Sequence, residues 1–173
     1  MKIEKADITD ANNISTLAVQ VWLDTYALEG IRDSFSEYVW QELSPYKFKA
    51  RLENKNREIY KVVENEHLIG FVEINFDSVI DGNTNSKVEI EKLYIQENFC
   101  GKNIGGKLID FVKSICIKNN ISSMWLSVYE NNFRAIKFYN KYGFKEIGEL
   151  YFELKSERHR NIVLEKKLLN VSM

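Results

Sequence analysis

The sequence predicts an α/β (α+β) chain built on a mixed sheet, and three features carry that prediction. An apolar strand ending at Ile95 runs through a glycine cluster into a helix with one apolar face, and a second apolar strand follows at 124–129. Such a strand–helix–strand crossover makes its two strands parallel neighbours. Polar clusters at 64–67 and 155–160, each flanked by β-rich runs, read as hairpin connections and add antiparallel strands on either side. At 173 residues, with no repeat, low-complexity stretch or linker, residues 1–173 are expected to form one domain.

Taken in order, residues 2–6 form a short strand, and Asp7, Thr9 and Asp10 supply capping oxygens for the helix that follows. Ile14, Leu17, Val21 and Tyr26, with Val19 and Trp22 beside them, fit helical spacing, so a first helix is expected over about 10–28 with Gly30 at its end. Phe35, Tyr38, Val39 and Trp40 make a second helical patch. Ser44 followed by Pro45 is an N-cap with proline at the first helical position, which starts a third helix reaching about Leu52. Strands at 59–63 and 68–76 flank the loop 64–67, and the turn cluster 81–85 delivers the chain into a strand at about 87–95. Ile104, Leu108, Phe111, Val112 and Ile115 mark one face of the next helix, which Asn119 and Asn120 stop. After the strand at 124–129, a helix over 132–142 carries Ala135, Phe138, Tyr139 and Tyr142 on one stripe, and Gly143 sits where a glycine ends helices. Phe144 opens the next strand, and 162–168 is the last.

Composition narrows the function. Lys+Arg 24 against Asp+Glu 25 leaves no global field for nucleic acid or an anionic membrane, so small-molecule chemistry is favoured. No run approaches the roughly 18 apolar residues of a membrane span. Two cysteines, Cys100 and Cys116, without an apolar secretory stretch near Met1, point to free thiols and a cytoplasmic setting. His67 and His159 lie in polar turns without ligand-spaced partners, so no metal is expected.

The stretch EIEKLYIQENFCGKNIGGKLIDF, 89–111, is the organising element: a strand feeding a helix whose first turn exposes unpaired N–H groups and the positive end of its dipole. Gly101, Gly105 and Gly106 let an anionic ligand approach that backbone. Gly101, Gly106 and Lys107 satisfy a P-loop spacing, but Leu108 stands where the magnesium-holding Ser or Thr is required. A metal-free pyrophosphate is the better guest.

The strand E-I-E-x-L-Y-I, the loop x-G-K-x-I-G-x-K-L and, thirty residues on, N-x-x-A-I-x-F-Y-x-K-x-G-F resemble the GNAT superfamily of acetyl-CoA-dependent N-acetyltransferases. The resemblance implies a mixed, mostly antiparallel sheet of six to seven strands, its parallel central pair splayed around acetyl-CoA, with four to five helices. It implies that Cys100, Gly101, Lys102, Asn103, Ile104, Gly105 and Gly106 cradle the coenzyme pyrophosphate through backbone amides, and that Leu93, Tyr94 and Ile95 hold the pantetheine and polarise the acetyl carbonyl. Cys100 stands where Arg or Gln is usual, and Asn103 replaces a glycine. Asn tolerates positive φ better than most residues.

An alkyl ammonium near pKa 10 must lose a proton before it attacks a thioester, so a base is required. Glu89 and Glu91 share one face of their strand, roughly 6.6 Å apart at about 3.3 Å per residue. The resemblance places the base at one of them, with Glu91 preferred. It makes Tyr139 the proton donor to the departing thiolate and Asn132 a hydrogen-bond partner of the pantetheine arm; the two lie roughly 10.5 Å apart at 1.5 Å per residue. Ala135 and Phe138, on the same helix, join the coenzyme site. Asn132 as a plain N-cap and Tyr139 as a core ring are the structural alternatives.

The expected acceptor is a small-molecule amine. The resemblance places its cleft against the first two helices, where Trp22, Tyr26 and Tyr38 stand among Asp24, Glu29, Asp33, Glu37 and Glu42, a composition suited to a cation. The chain is most similar to bacterial spermidine/polyamine acetyltransferases, so a polyamine comes first. Protein N-termini, lysines and aminoglycosides stay open, as do a homodimer and a non-catalytic coenzyme A-binding regulator.

Overall fold

The computed structural model describes residues 1–80, 84–154 and 157–168. Among the described residues there are five α-helices and seven strands, and the strands follow the order β1-β2-β3-β4-β5-β7-β6 in one sheet. The expected mixed sheet is therefore found at the upper end of its strand and helix counts. The chain gathers into two compact units, Met1–Ile74 with Lys92–Gly105, and Asn75–Glu91 with Gly106–Met173.

In the first unit, β1 (Lys2–Lys5) runs antiparallel to β2 (Arg57–Glu64), with Ile3 opposite Val62. Asp7 caps a single 3-10 turn at Ile8–Asp10 rather than the helix itself: Asp7 Oδ1 accepts from the Thr9 amide at 2.8 Å, and Asp10 reaches back to the Asp7 amide at 2.9 Å. Helix α1 (Ala11–Tyr26) follows and ends two residues earlier than expected. Gly30, at φ +114°, belongs to the connection beyond it, where its amide meets Ala27 O. Helix α2 is Asp33–Glu42, and α3 (Pro45–Glu53) starts as the sequence requires, with the Ser44 hydroxyl accepting from the Lys47 amide. The buried Ser15 hydroxyl donates to Leu43 O at 2.6 Å, which ties α1 to the end of α2.

The connection from β2 to β3 (His67–Asn75) is tighter than a four-residue loop. Asn65 and Glu66 alone turn the chain, both at positive φ (48° and 67°), as a type I′ turn demands. β3 is buried from Ile69 to Ile74, and Phe71 stands edge-on to Phe48 at 5.9 Å. Gly70 permits a close approach there: a Cβ at this position would lie 2.8 Å from Tyr94 O on β4 (Glu89–Ile95).

In the second unit, Glu89 of β4 registers in parallel with Trp125 of β5 (Ser123–Tyr129), the expected parallel pair. β7 (Glu157–Lys167) runs antiparallel to β5 and to β6 (Lys145–Leu154). The last strand thus begins five residues earlier than the sequence suggests, and Arg158, His159 and Arg160 stand in it rather than in a turn. The charged residues are accommodated because each ladder position faces a partner: Tyr151 pairs with Arg160, and Arg158 lies over the Tyr151 ring at 3.8 Å. Of the two predicted turn clusters, residues 81–83 and 155–156 lie outside the described residues.

Helix α4 is Ile104–Lys118. Its buried stripe is Ile104, Leu108, Ile109, Val112 and Cys116, so the apolar face is rotated from the one expected, and Phe111 and Ile115 are only half-buried at its margin. Asn120 at φ 56° stops the chain in the left-handed region. Helix α5 (Phe133–Lys141) is followed by Gly143 at φ +83°, the left-handed glycine the sequence predicts.

Candidate active site

β4 supplies the carboxylates. Glu89, Glu91, Leu93 and Ile95 alternate with Ile90, Lys92 and Tyr94, and the first set is half-buried throughout. Glu91 Oε1 accepts from Asn75 Nδ2 at 3.1 Å, and Glu89 Oε2 accepts from the Ser78 hydroxyl at 2.6 Å. Both donors are neutral and belong to the stretch that leaves β3. Half-burial with a polar anchor leaves a carboxylate both held and reachable, which suits proton transfer.

The other face of β4 holds what sequence reasoning missed. Lys92, buried, donates to Glu73 Oε2 at 3.1 Å, and Arg57 donates to Glu73 Oε1 at 2.8 Å. Arg51 Nε lies 3.7 Å from the same carboxylate and reaches Glu42 at 3.4 Å. Glu42, counted among the acceptor-side acids, is thus engaged with Arg51 and Lys47. The signal was present: a glutamate inside the apolar run IGFVEIN needs a buried cation.

After β4 a 3-10 turn at Glu97–Phe99 leads into the glycine loop. The Cys100 thiol donates to Ile95 O at 3.8 Å and its amide to Glu97 O at 3.0 Å. Gly101 adopts φ +79° and Asn103 φ +61°, so Asn103 does take the left-handed conformation of the glycine it replaces. Lys102 lies over the Phe99 ring at 4.6 Å. Helix α4 begins at Ile104, so Gly105 and Gly106 occupy its first turn, where amides have no intrahelical partner.

On α5, Asn132 is the N-cap and accepts from the Ala135 amide at 3.1 Å. Its amide nitrogen is not used by the cap. Phe138 is half-buried and stands 5.1 Å from Tyr139, which meets Phe144 at 5.5 Å. Tyr139 is buried, and burial pushes its phenol well above the usual tyrosine range. Among the described residues its hydroxyl makes no hydrogen bond.

Trp22, Tyr26 and Tyr38 come together in the first unit. Trp22 stacks with Tyr26 at 4.8 Å and with Tyr38 at 4.7 Å, and Phe35 stands edge-on at 5.4 Å. Only 2% of Trp22 is exposed, so its ring is core, whereas the two tyrosines are half-buried. Asp24, Glu29, Asp33 and Glu37, in the same stretch of sequence, are exposed. Among the described residues no three His, Cys, Asp or Glu side chains gather as a metal site, and no helix is long and apolar enough to cross a membrane.

Comparison with known proteins agrees with this architecture. A crystal structure of the PaiA N-acetyltransferase from Thermoplasma acidophilum in complex with coenzyme A superposes with a TM-score of 0.74 at 24% identity, covering 96% of this chain and 99% of that one. An uncharacterized N-acetyltransferase of Lactobacillus delbrueckii subsp. lactis is 20% identical over 98% of both chains. A spermine/spermidine N(1)-acetyltransferase of Bacillus subtilis is 31% identical over 87 residues, 49% of this chain and 57% of that one. The model of the acetyltransferase (GNAT) family matches residues 25–144, well over half of the sequence, and the chain belongs to that family of N-acetyltransferases.

Proposed function

We propose that the chain moves an acetyl group directly from acetyl-CoA to a primary amine, with a polyamine such as spermidine as the first acceptor to test. Two features of β4 and α5 support this: a half-buried carboxylate held by a neutral donor, and a buried phenol with no hydrogen-bond partner among the described residues. The first accepts protons and the second supplies one. The family resemblance assigns coenzyme contacts to the amides of Leu93, Tyr94 and Ile95 and of residues 100–106, and separately to Asn132, Ala135 and Phe138.

In the proposed sequence the acceptor ammonium gives a proton to Glu91, directly or through water. The freed lone pair forms the C–N bond at the thioester carbon, and the second nitrogen proton leaves to the same base once it has shed the first to solvent. As the C–S bond breaks, the sulfur takes the phenolic proton of Tyr139, which is replenished from solvent. The net products are amide, thiol and one proton. A thiolate in the same desolvated setting also has a raised affinity for protons, which keeps the transfer feasible. Glu89 is the second candidate for the base.

The polyamine assignment is supported by the names of relatives, including the Bacillus subtilis protein and a spermidine N(1)-acetyltransferase of Thermoplasma acidophilum at 26% identity. The exposed acids of the stretch 24–37, which also carries Tyr26, suit a cation. The test is to incubate the protein with acetyl-CoA and spermidine, spermine, an aminoglycoside, a lysine peptide or an N-terminal peptide while following free thiol. Thiol release with polyamines and not with the others supports the full reading. Release with another amine keeps the transferase and discards the polyamine. Thermal stabilisation by acetyl-CoA without thiol release for any acceptor points instead to a coenzyme-binding regulator.

A further inference from the structure

We infer that Asn75 is a positioning residue for the transfer reaction, acting by orienting the Glu91 carboxylate; this rests on Glu91 as the base. Asn75 is the last residue of β3, and its carboxamide is held at both ends. The oxygen accepts from the Asp77 amide at 3.1 Å, and the nitrogen donates to Glu91 Oε1 at 3.1 Å. Each partner alone decides which way the amide points. Reversing it would set nitrogen against an N–H donor and oxygen against a carboxylate, so both bonds would be lost together.

The local sequence explains why an asparagine serves here. Where β3 ends, Asn75-Phe76-Asp77-Ser78 turns the chain, and an Asx side chain satisfies the amide two residues on. Aspartate or serine forms that turn equally well, since the turn needs only an oxygen. Only asparagine also presents an N–H at the opposite end. The turn therefore does not explain the amide nitrogen, and Glu91 does. Ser78 completes the arrangement: its amide donates to Lys87 O at 2.9 Å, and its hydroxyl donates to Glu89. One short segment thus supplies a donor to each of the two carboxylates on the face of β4.

A base must aim one lone pair at its proton and keep the other oxygen from wandering. Fixing Oε1 on Asn75 sets the direction of the carboxylate, which is a geometric requirement for general base catalysis. A hydrogen bond from a neutral donor also favours the ionised carboxylate without neutralising it, as a lysine would.

The test uses the full chain with acetyl-CoA and whichever amine supports thiol release. Asn75→Asp keeps the acceptor for the Asp77 amide and is isosteric, and it sets a carboxylate against Glu91 in place of the donor. It should lower kcat by about tenfold or more, the scale of one hydrogen bond to a charged group, with the KM for acetyl-CoA little changed. Asn75→Ser, which also retains an oxygen for the turn, should lower kcat in the same direction. In a Glu91→Gln background neither substitution should lower kcat further, because a residue acting only through Glu91 has nothing left to orient. If Glu91→Gln loses turnover while Asn75→Asp and Asn75→Ser keep it, or if the losses multiply in the double variants, the positioning role is overturned and the base assignment survives. If Glu91→Gln retains turnover, the base assignment itself fails, and the inference with it. Ser78→Ala in that last case reports whether Glu89 takes the role.

Discussion

Lys92 Nζ donates to Glu73 Oε2 at 3.1 Å, and Glu73 is wholly shielded from solvent while Lys92 is 9% exposed. Arg57 holds the other oxygen at 2.8 Å, so one buried carboxylate anchors cations from β2 and β4. Removing it takes the shared carboxylate away from Arg57 and Lys92, and from Arg51 Nε at 3.7 Å. Glu73→Ala is expected to destabilise the protein by about 3–5 kcal/mol, the cost of stranding one side of a buried pair. Urea unfolding measures this. A loss below about 1 kcal/mol would show that Arg57 and Lys92 turn to solvent instead, and that the network does not hold β4 in place.

Tyr139→Phe isolates a single oxygen. The ring packing against Phe138 and Phe144 is kept, and the hydroxyl removed has no hydrogen bond among the described residues, so stability should change by less than about 1 kcal/mol. If the phenol protonates the leaving sulfur, kcat should fall about a hundredfold, within the usual range for a general acid, with the affinity for acetyl-CoA little altered. Steady-state kinetics with a separate coenzyme binding titration distinguishes the two. Equal losses in both would make Tyr139 a packing residue.

Much of this was legible in the sequence because local chemistry decided it. Ser44-Pro45 starts α3, Gly143 ends α5, and Asn103 takes a glycine's conformation, each from a property of one or two residues. Asn132 was ambiguous for the same reason, since an N-cap and a ligand contact ask for one side chain. What stayed hidden depends on the register of distant strands. Nothing local says that Glu73 meets Lys92, or that Asn75 reaches Glu91, because both pairs join residues 16 to 19 positions apart. The start of β7 at Glu157 is hidden because charged Arg158 and Arg160 lower its strand signal, and their place becomes favourable only through residues distant in sequence: the Tyr151 ring under Arg158, and Glu149 and Glu130 on Arg160. The stripe of α4 is rotated because Phe111 and Ile115 stand at its margin, while Ile109 and the small thiol of Cys116 are the groups that fit inside.

Within the Trp22 stack, the buried indole is core, and the half-buried Tyr26 and Tyr38 are the rings the proposed acceptor role would use. Trp22→Ala should cost about 3–5 kcal/mol, as for a large buried ring, and its thermal unfolding should shift accordingly. Tyr26→Phe and Tyr38→Phe keep the stack. Under the proposed acceptor role they should raise the KM for the amine several-fold with little change in kcat or in the KM for acetyl-CoA. Unchanged amine KM in both, with activity intact, would assign the cluster to packing alone.

The two thiols should behave differently. Burial pushes Cys116 up to about 11, and Cys116 lies on the inner face of α4, while Cys100 is half-buried at the glycine loop. A disulfide reagent at mild alkaline pH should therefore modify one cysteine in the folded protein and the second only in denaturant. Under the proposed coenzyme site, coenzyme A should slow the first reaction. The same shift has a pH consequence with a definite sign. Between an ordinary thiol value of about 8.5 and the raised value, the unfolded chain releases the Cys116 proton and the folded chain keeps it. The unfolded state then binds fewer protons, so this group's contribution makes stability fall as pH rises through that window. Lys166, lowered first by burial and then by Lys113, works in the opposite sense, so the comparison must be made between proteins. Cys116→Ala, measured by urea unfolding from pH 8 to 11, should lose stability less steeply with pH than the parent chain, whatever its absolute stability. Parallel slopes would show that the Cys116 thiol ionises as readily in the folded protein as in the unfolded one.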